Sequence, residues 1–400
     1  MNFAVLSLFY KNYNYGGVLQ AYALNKAIQK RITKNDIVKQ ICFDFDQLPP
    51  SKKLVRFINA PLNTKVECIC EKVDGCLDKI GLKKKSCEVF SKETSEKITA
   101  FNTFNEMFVL STDKVYGVSN VHETLDEFDC FIVGSDQVWN PDNIHYNLYF
   151  LDFVNKNKYK ASYAASISKT ALTQKQQKPF KKNLDSFNKI SVRENNTEII
   201  SSLTKNKVEW VLDPTLLLSL EEWNEVCSKR FDNEEPYLFC YFLNFDKKQQ
   251  ELANSYAKRK ALKMIFTTDL RGIYQGNNNF GAENIYDASP SDFLSLIKNA
   301  AFVMTDSFHA TVFSLIFKKQ FVAFERIDFA GMKTRMETLL QLFEAQSRLV
   351  DWDKNDFCNI EILEEFDYSQ TFKKFSEMKR FSEKYLDDLI KEAKELSNEK

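Results

Sequence analysis

One stretch, "NAAFVMTDSFHATVFSLIF" (Asn299–Phe317), gathers more side chains capable of chemistry than any other. Its apolar run to Met304 reads as a buried strand. Thr305, Asp306 and Ser307 supply capping groups, and Val312, Leu315 and Ile316 mark one face of the helix that follows. His309 is therefore placed near a helix N-terminus, beyond the carboxyl end of a strand. Imidazole can give or take a proton near neutral pH, so His309 is the candidate acid–base group, with a structural cap histidine as the competing reading. A helix N-terminus disfavours imidazolium and a nearby dianion favours it, so binding of an anionic ligand would charge the ring. His122 lies in a charged stretch and reads as solvated. His145 follows another candidate loop and could line the same cleft.

Other strand ends carry further candidates, because ligands of open α/β sheets bind beyond the carboxyl ends of the strands. After "FDCFIVG" comes "SDQVWNP", which places Ser135, Asp136, Gln137 and Trp139 in one loop. Polar groups beside an indole suit a sugar, whose hydroxyls need partners and whose apolar face can stack on a ring. A tryptophan plugging the core edge fits the same residues. Asp136 is a candidate acceptor for a hydroxyl proton, or else a turn residue. In "SVREN", Arg193 could grip a phosphate or carboxylate bidentately; alternatively Arg193 and Glu194 form a surface arrangement and Asn195 caps the next helix. Arg271 follows "LKMIFTTDL" in a glycine- and asparagine-rich loop and faces either a ligand or solvent. Finally, "NYNYGGVLQAYAL" sets Asn14, Gly16 and Gly17 at a strand-to-helix turn, in a chain with 10 glycines. Such a turn lets backbone approach a ligand, or is simply tight.

The elements that must position these residues alternate. "IVKQICFDF", "FDCFIVG", "KYKASYAAS", "KISVRE" and "VEWVLD" read as strands with helical stretches between them, and a second series runs through "PYLFCYFL", "LKMIFTTD", "AFVMTDSF" and "QFVAFE". This predicts α/β architecture with two parallel sheets. The predicted organisation is an N-terminal unit over 1–218 with a helical insertion at about 51–100, a second unit over 219–345 and a helical extension over 346–400. That extension carries Phe372, Phe375, Met378, Phe381 and Tyr385 at helical spacing.

Four hundred residues give ample chain for two cores, and 55 basic against 55 acidic residues exclude a global charge aimed at nucleic acid. No apolar run reaches membrane-spanning length and no signal peptide is evident, so the expected location is cytoplasmic. Nine cysteines at uneven spacing read as reduced thiols, and the cluster Cys68, Cys70, Cys76 and Cys87 lacks the paired spacing of a zinc site, so no metal is expected. Between Lys52 and Lys85 nine basic residues face four acidic ones. A solvated basic face explains this excess; contact with anionic lipid headgroups or a lipid-linked acceptor at the inner face of a membrane is the sharper reading.

Together, "NYGGVLQAYAL", "FDCFIVGSDQVWNP", "ISVREN", "VLDPTLLL" and "TDSFHATVFSLIFKKQFVAF" make the chain resemble the polysaccharide pyruvyl transferase family from residue 1 to about 345, outside the insertion. The resemblance implies two Rossmann-like domains facing across a cleft, the arrangement called GT-B. It also implies transfer of pyruvate from phosphoenolpyruvate, as co-substrate and without a further cofactor, to two hydroxyls of one sugar as a cyclic ketal. Arg193 would hold the donor's anionic groups, His309 would be the acid–base residue, and the N-terminal domain would hold the saccharide acceptor. Members often have an arginine two positions before that histidine, where this chain has Ser307. Arg271, Arg326 and Arg335 are the candidates to supply the missing charge. A glycosyltransferase using a nucleotide sugar, and a non-catalytic sugar-binding subunit of a surface-polysaccharide complex, remain open on the residues alone.

Overall fold

The computed structural model describes residues 1–45, 85–143, 146–244, 246–270, 281–326, 330–350, 365–369 and 372–398. The basic run from Lys52 up to Lys84, Cys68, Cys70 and Cys76, His145 and Arg271 lie outside them.

The first sheet contains β1 (Asn2–Leu6), β2 (Ile37–Phe43), β3 (Ser111–Tyr116), β4 (Cys130–Val133) and β5 (Tyr159–Ser162) in the parallel order β3-β2-β1-β4-β5. A parallel pair, β6 (Ile190–Val192) and β7 (Val208–Trp210), continues beside β5 through the bridges Ala161–Lys189 and Ala165–Val192. The second sheet is also parallel, in the order β10-β9-β8-β11-β12-β13: β8 (Tyr237–Tyr241), β9 (Lys263–Phe266), β10 (Glu283–Asn284), β11 (Phe302–Thr305), β12 (Phe321–Phe324) and β13 (Leu349–Val350). The α/β class with two such sheets is as the alternation of apolar runs predicts. The second sheet extends to Val350, past the expected limit at 345, and β3 has no counterpart among the expected strands. Its "STDKVY" alternates rather than forming an apolar run, as suits an edge strand with exposed Asp113 and Lys114.

Three helices matter most for the site. Helix α1 (Tyr15–Gln29) follows β1 and is capped by Asn14, whose extended backbone lets its side chain accept from the amides of Gly16 and Gly17. The paired glycines are therefore in the first helical turn and not in the loop before it. Helix α2 (Lys85–Phe108) buries Lys97, Phe101 and Phe104 at helical spacing. Lys97 Nζ donates to the Tyr15 hydroxyl and lies 3.4 Å from Thr267 Oγ1 and 3.3 Å from Ala288 O, so it bridges the two sheet-bearing halves.

Burial pushes the Lys97 ammonium down to about 7, against the opposing pull of Asp269, Asp287 and Asp292. Above about pH 7 the unfolded chain keeps a proton that the folded chain has released. Stability accordingly rises with pH from there towards the ordinary lysine range, by an amount on the order of a few kcal/mol. Urea melts at a series of pH values should show this rise flattened in Lys97→Met; an unchanged slope would remove Lys97 as its source.

The third helix, α3 (Lys373–Asn398), returns to the first sheet. Tyr385, Leu386, Leu389, Ile390 and Ala393 join Phe3, Val5, Leu24 and Ile132 in one core, and the Leu212 amide donates to Ser382 Oγ. Phe381, at helical spacing with the others, is exposed, because the buried stripe runs through Ser382 and Tyr385.

Candidate active site

In each sheet the strand order reverses between two neighbours, β1 and β4 in the first and β8 and β11 in the second. The loops leaving all four strands line one cleft of about 570 Å³, at the positions where α/β sheets bind ligands. Asn12, Tyr13 and Asn14 follow β1, and Asp136, Gln137 and Asn140 follow β4. Leu243 follows β8, and Ser307, Phe308 and His309 follow β11; Asp269, Arg326 and Arg335 complete the second wall.

His309 enters through the short helix Phe308–Ile316, for which Ser307 is the N-cap; the Ala310 amide donates to Ser307 Oγ. The imidazole Nε2 stands 3.6 Å from Asp213 Oδ2, an ion-pair separation longer than a hydrogen bond. Asp213 is fully buried and well provided with donors. Arg193 Nη1 donates to Oδ2 at 2.7 Å and Ser135 Oγ at 3.2 Å, while the Thr215 amide and hydroxyl donate to Oδ1 at 3.0 and 2.7 Å. Burial would push this carboxyl up, but the His309 imidazole and Arg193 guanidinium reverse that and hold it well below the usual carboxylate range. Asp213 therefore remains an anion facing His309.

Several expectations change at this point. Arg193 is buried and does not line this cleft. Its guanidinium bridges Asp213 and Asp136 and lies 4.8 Å above the Phe308 ring, so it braces the site and is not an exposed grip on the donor. Glu194 is also buried and accepts from Ser166 Oγ, and the cap of the following helix is Thr197, not Asn195. Trp139 is 0% exposed, donates its Nε1–H to Tyr149 O and stacks on Phe150. It fills the core and offers no face to a sugar. Ser135 is likewise buried beneath the cleft, bonded to Ala164 O and Asp213. Gly16 and Gly17 meet protein and not open cleft: a Cβ on Gly17 would lie 2.7 Å from Leu8 O and 2.5 Å from Asn12 Nδ2.

Asn14, Asp136, Gln137, Ser307, His309 and Arg335 do share the cleft, together with Arg326. Asp136 has φ 66 and ψ −165, a conformation close to glycine-only territory and one that costs on the order of 1–3 kcal/mol. Its carbonyl accepts from the Val138 and Ser166 amides at 2.8 and 3.0 Å, which holds the strained turn and aims the carboxylate towards Arg193 and the cleft. On the second wall, burial pushes Arg335 down to about 10, aided by the like charge of Arg193. Asp306 does not cap the helix as expected. It accepts from the Leu243 and Asn244 amides at 2.6 and 2.7 Å, fixing the loop after β8, and burial pushes it up to about 6.

Among the site residues that escape the sequence reading are Asp213 and Phe308. Asp213 ends the strand-like run "VEWVLD", so the rule that singles out the other strand ends points to it as well. Phe308, which lies between the Arg193 and Arg335 guanidiniums, leaves no such signal.

The family model described as Polysaccharide pyruvyl transferase matches residues 14–328, which include every cleft residue named above except Asn12, Tyr13 and Arg335. The chain belongs to the polysaccharide pyruvyl transferase family. Members of this family are enzymes, and their acceptors are saccharides. No curated protein matches the chain. Among solved structures, UDP-GlcNAc 2-epimerase from Methanocaldococcus jannaschii aligns with 12% identity over 95% of this chain and 99% of its own, at a TM-score of 0.54. UDP-N-acetylglucosamine 2-epimerase from Rickettsia bellii aligns with 11% identity over 99% and 97%, at a TM-score of 0.52. Identities this low carry the fold alone, which is GT-B-like, as expected for the family. No helix among the described residues is long and apolar enough to cross a membrane.

Proposed function

We propose that the enzyme transfers pyruvate from phosphoenolpyruvate to two hydroxyls of one saccharide, forming a cyclic ketal, with the donor on the second-sheet wall and the acceptor on the first. The observation that carries this reading is a histidine facing a buried carboxylate, itself held below the usual carboxylate range, at the edge of a cleft that also contains two arginines. Phosphoenolpyruvate brings a carboxylate and a phosphate, so its site needs several cationic or amide donors. Arg326, Arg335 and the capped helix start at Ser307 supply them on one wall. They answer the absence of the family's usual arginine at position 307.

His309 is the proton donor. Its proton goes to the methylene carbon and the adjacent carbon becomes electrophilic. A sugar hydroxyl attacks that carbon, the C–O bond to phosphate breaks, and the second hydroxyl closes the ketal. One of the two hydroxyl protons restores the histidine and the other leaves with phosphate. Asp136 is the candidate to accept the second of these protons before it passes to the departing phosphate, and Asn14 and Gln137 are placed to orient the ring hydroxyls.

The test incubates purified protein with phosphoenolpyruvate and a panel of hexosides. Phosphate release and a product heavier by pyruvic acid less one water support the proposal. Consumption of a nucleotide sugar, with phosphoenolpyruvate untouched, would establish glycosyl transfer instead.

A further inference from the structure

Helix α1 belongs to the first sheet, yet its first residues are docked into the other half. The Tyr15 ring stacks on Phe293 with centres 4.2 Å apart, and its hydroxyl donates to Ala288 O at 2.9 Å. The next residue, Gly16, faces His309. A Cβ on Gly16 would lie 1.9 Å from Nδ1, 2.5 Å from Cγ and 2.6 Å from Cε1 of the imidazole. The Gly16 backbone is helical, so any L-residue could adopt it. What requires glycine is the ring. On the ring's other side Nε2 faces Asp213 at 3.6 Å. The imidazole thus occupies a slot with two walls, helix α1 and the turn at Asp213. Both walls precede the second sheet in the chain, whereas the ring itself comes from the helix that follows β11.

We propose that Gly16 is a positioning residue for His309: its missing side chain admits the imidazole between helix α1 and Asp213 and so keeps Nε2 opposite that carboxylate. A carboxylate opposite one ring nitrogen favours the protonated ring that a proton donor needs. This rests on His309 being the proton donor of the proposed reaction. A methyl at position 16 would overlap the ring on the side opposite Asp213 and drive it out of the slot. A Cβ on Gly17, its neighbour, would lie nearest Asn12 and Leu8, and Gly17 serves as the control.

The experiment is a double-mutant cycle read in two ways, by melting temperature and by kinetics. Gly16→Ala should lower kcat by about tenfold or more while the KM for phosphoenolpyruvate changes by less than about threefold. It should also shift the imidazole 15N resonances of His309. In the His309→Ala background the same change should cost neither turnover nor melting temperature, because the methyl enters space that the ring has vacated. Gly17→Ala should lower the melting temperature equally in both backgrounds. Should Gly16→Ala alone fail to fold, recovery of folding in Gly16→Ala/His309→Ala supports the proposal. Equal losses in both backgrounds, continued misfolding of the double variant, or unchanged kcat and 15N resonances would overturn it. The thermal cycle and the spectrum need no turnover, so they test the slot even if phosphoenolpyruvate proves not to be the donor.

Discussion

Replacing His309 with alanine is expected to cut phosphoenolpyruvate-dependent phosphate release by about a hundredfold or more, the scale of a lost general acid. The thermal shift induced by phosphoenolpyruvate should survive in large part, because Arg326 and Arg335 line the cleft without help from the imidazole. This separation of binding from chemistry is the signature of a proton donor. Loss of the thermal shift together with turnover would make His309 a binding residue, and full activity in the variant would remove it from the mechanism.

Arg193→Ala should fail in a different way. The guanidinium is 2.7 Å from the fully buried Asp213 carboxylate, so truncation strands a charge that cannot reach water. Breaking a buried pair from one side costs about 3–5 kcal/mol, and the melting temperature should therefore fall before any donor-binding defect can be resolved. Arg193→Ala/Asp213→Asn should recover much of that loss, since it removes the stranded charge as well. The pH dependence has a definite sign. Asp213 ionises more readily in the folded chain than in the unfolded one, so its contribution is present above about pH 4 and is lost as the pH falls. Without Arg193 this acid-side loss of stability should shrink. An Arg193→Ala variant that melts with the wild type but no longer binds phosphoenolpyruvate would restore Arg193 as a direct donor contact.

The positions of the strands and of His309 were legible because they follow from local patterns: apolar runs, caps and the rule that loops after strands form the site. What surrounds each of those side chains was not legible. An indole beside polar residues looks alike whether it meets a sugar or a core, and for Trp139 the choice was made by Phe150, Phe180 and Phe187. An arginine after a strand looks free until its partner is known. Asp213 pairs with Arg193 and faces His309, two residues from different sheets, and no spacing in the chain records that meeting. The paired glycines show the same limit. Their adjacency suggested one shared purpose, yet Gly17 is required by the backbone at Leu8 and Gly16 by an imidazole from the other half.

Helix α3 is encoded after the second sheet but packs with Phe3, Val5 and Leu24 of the first. A ribosome therefore releases the first sheet with part of one apolar face uncovered beside helix α1, and the second sheet must be made before the rest of its cover arrives. Nascent chains with such a face are exposed to wrong association and are natural clients for chaperones. The half that is synthesised first is the half that is completed last.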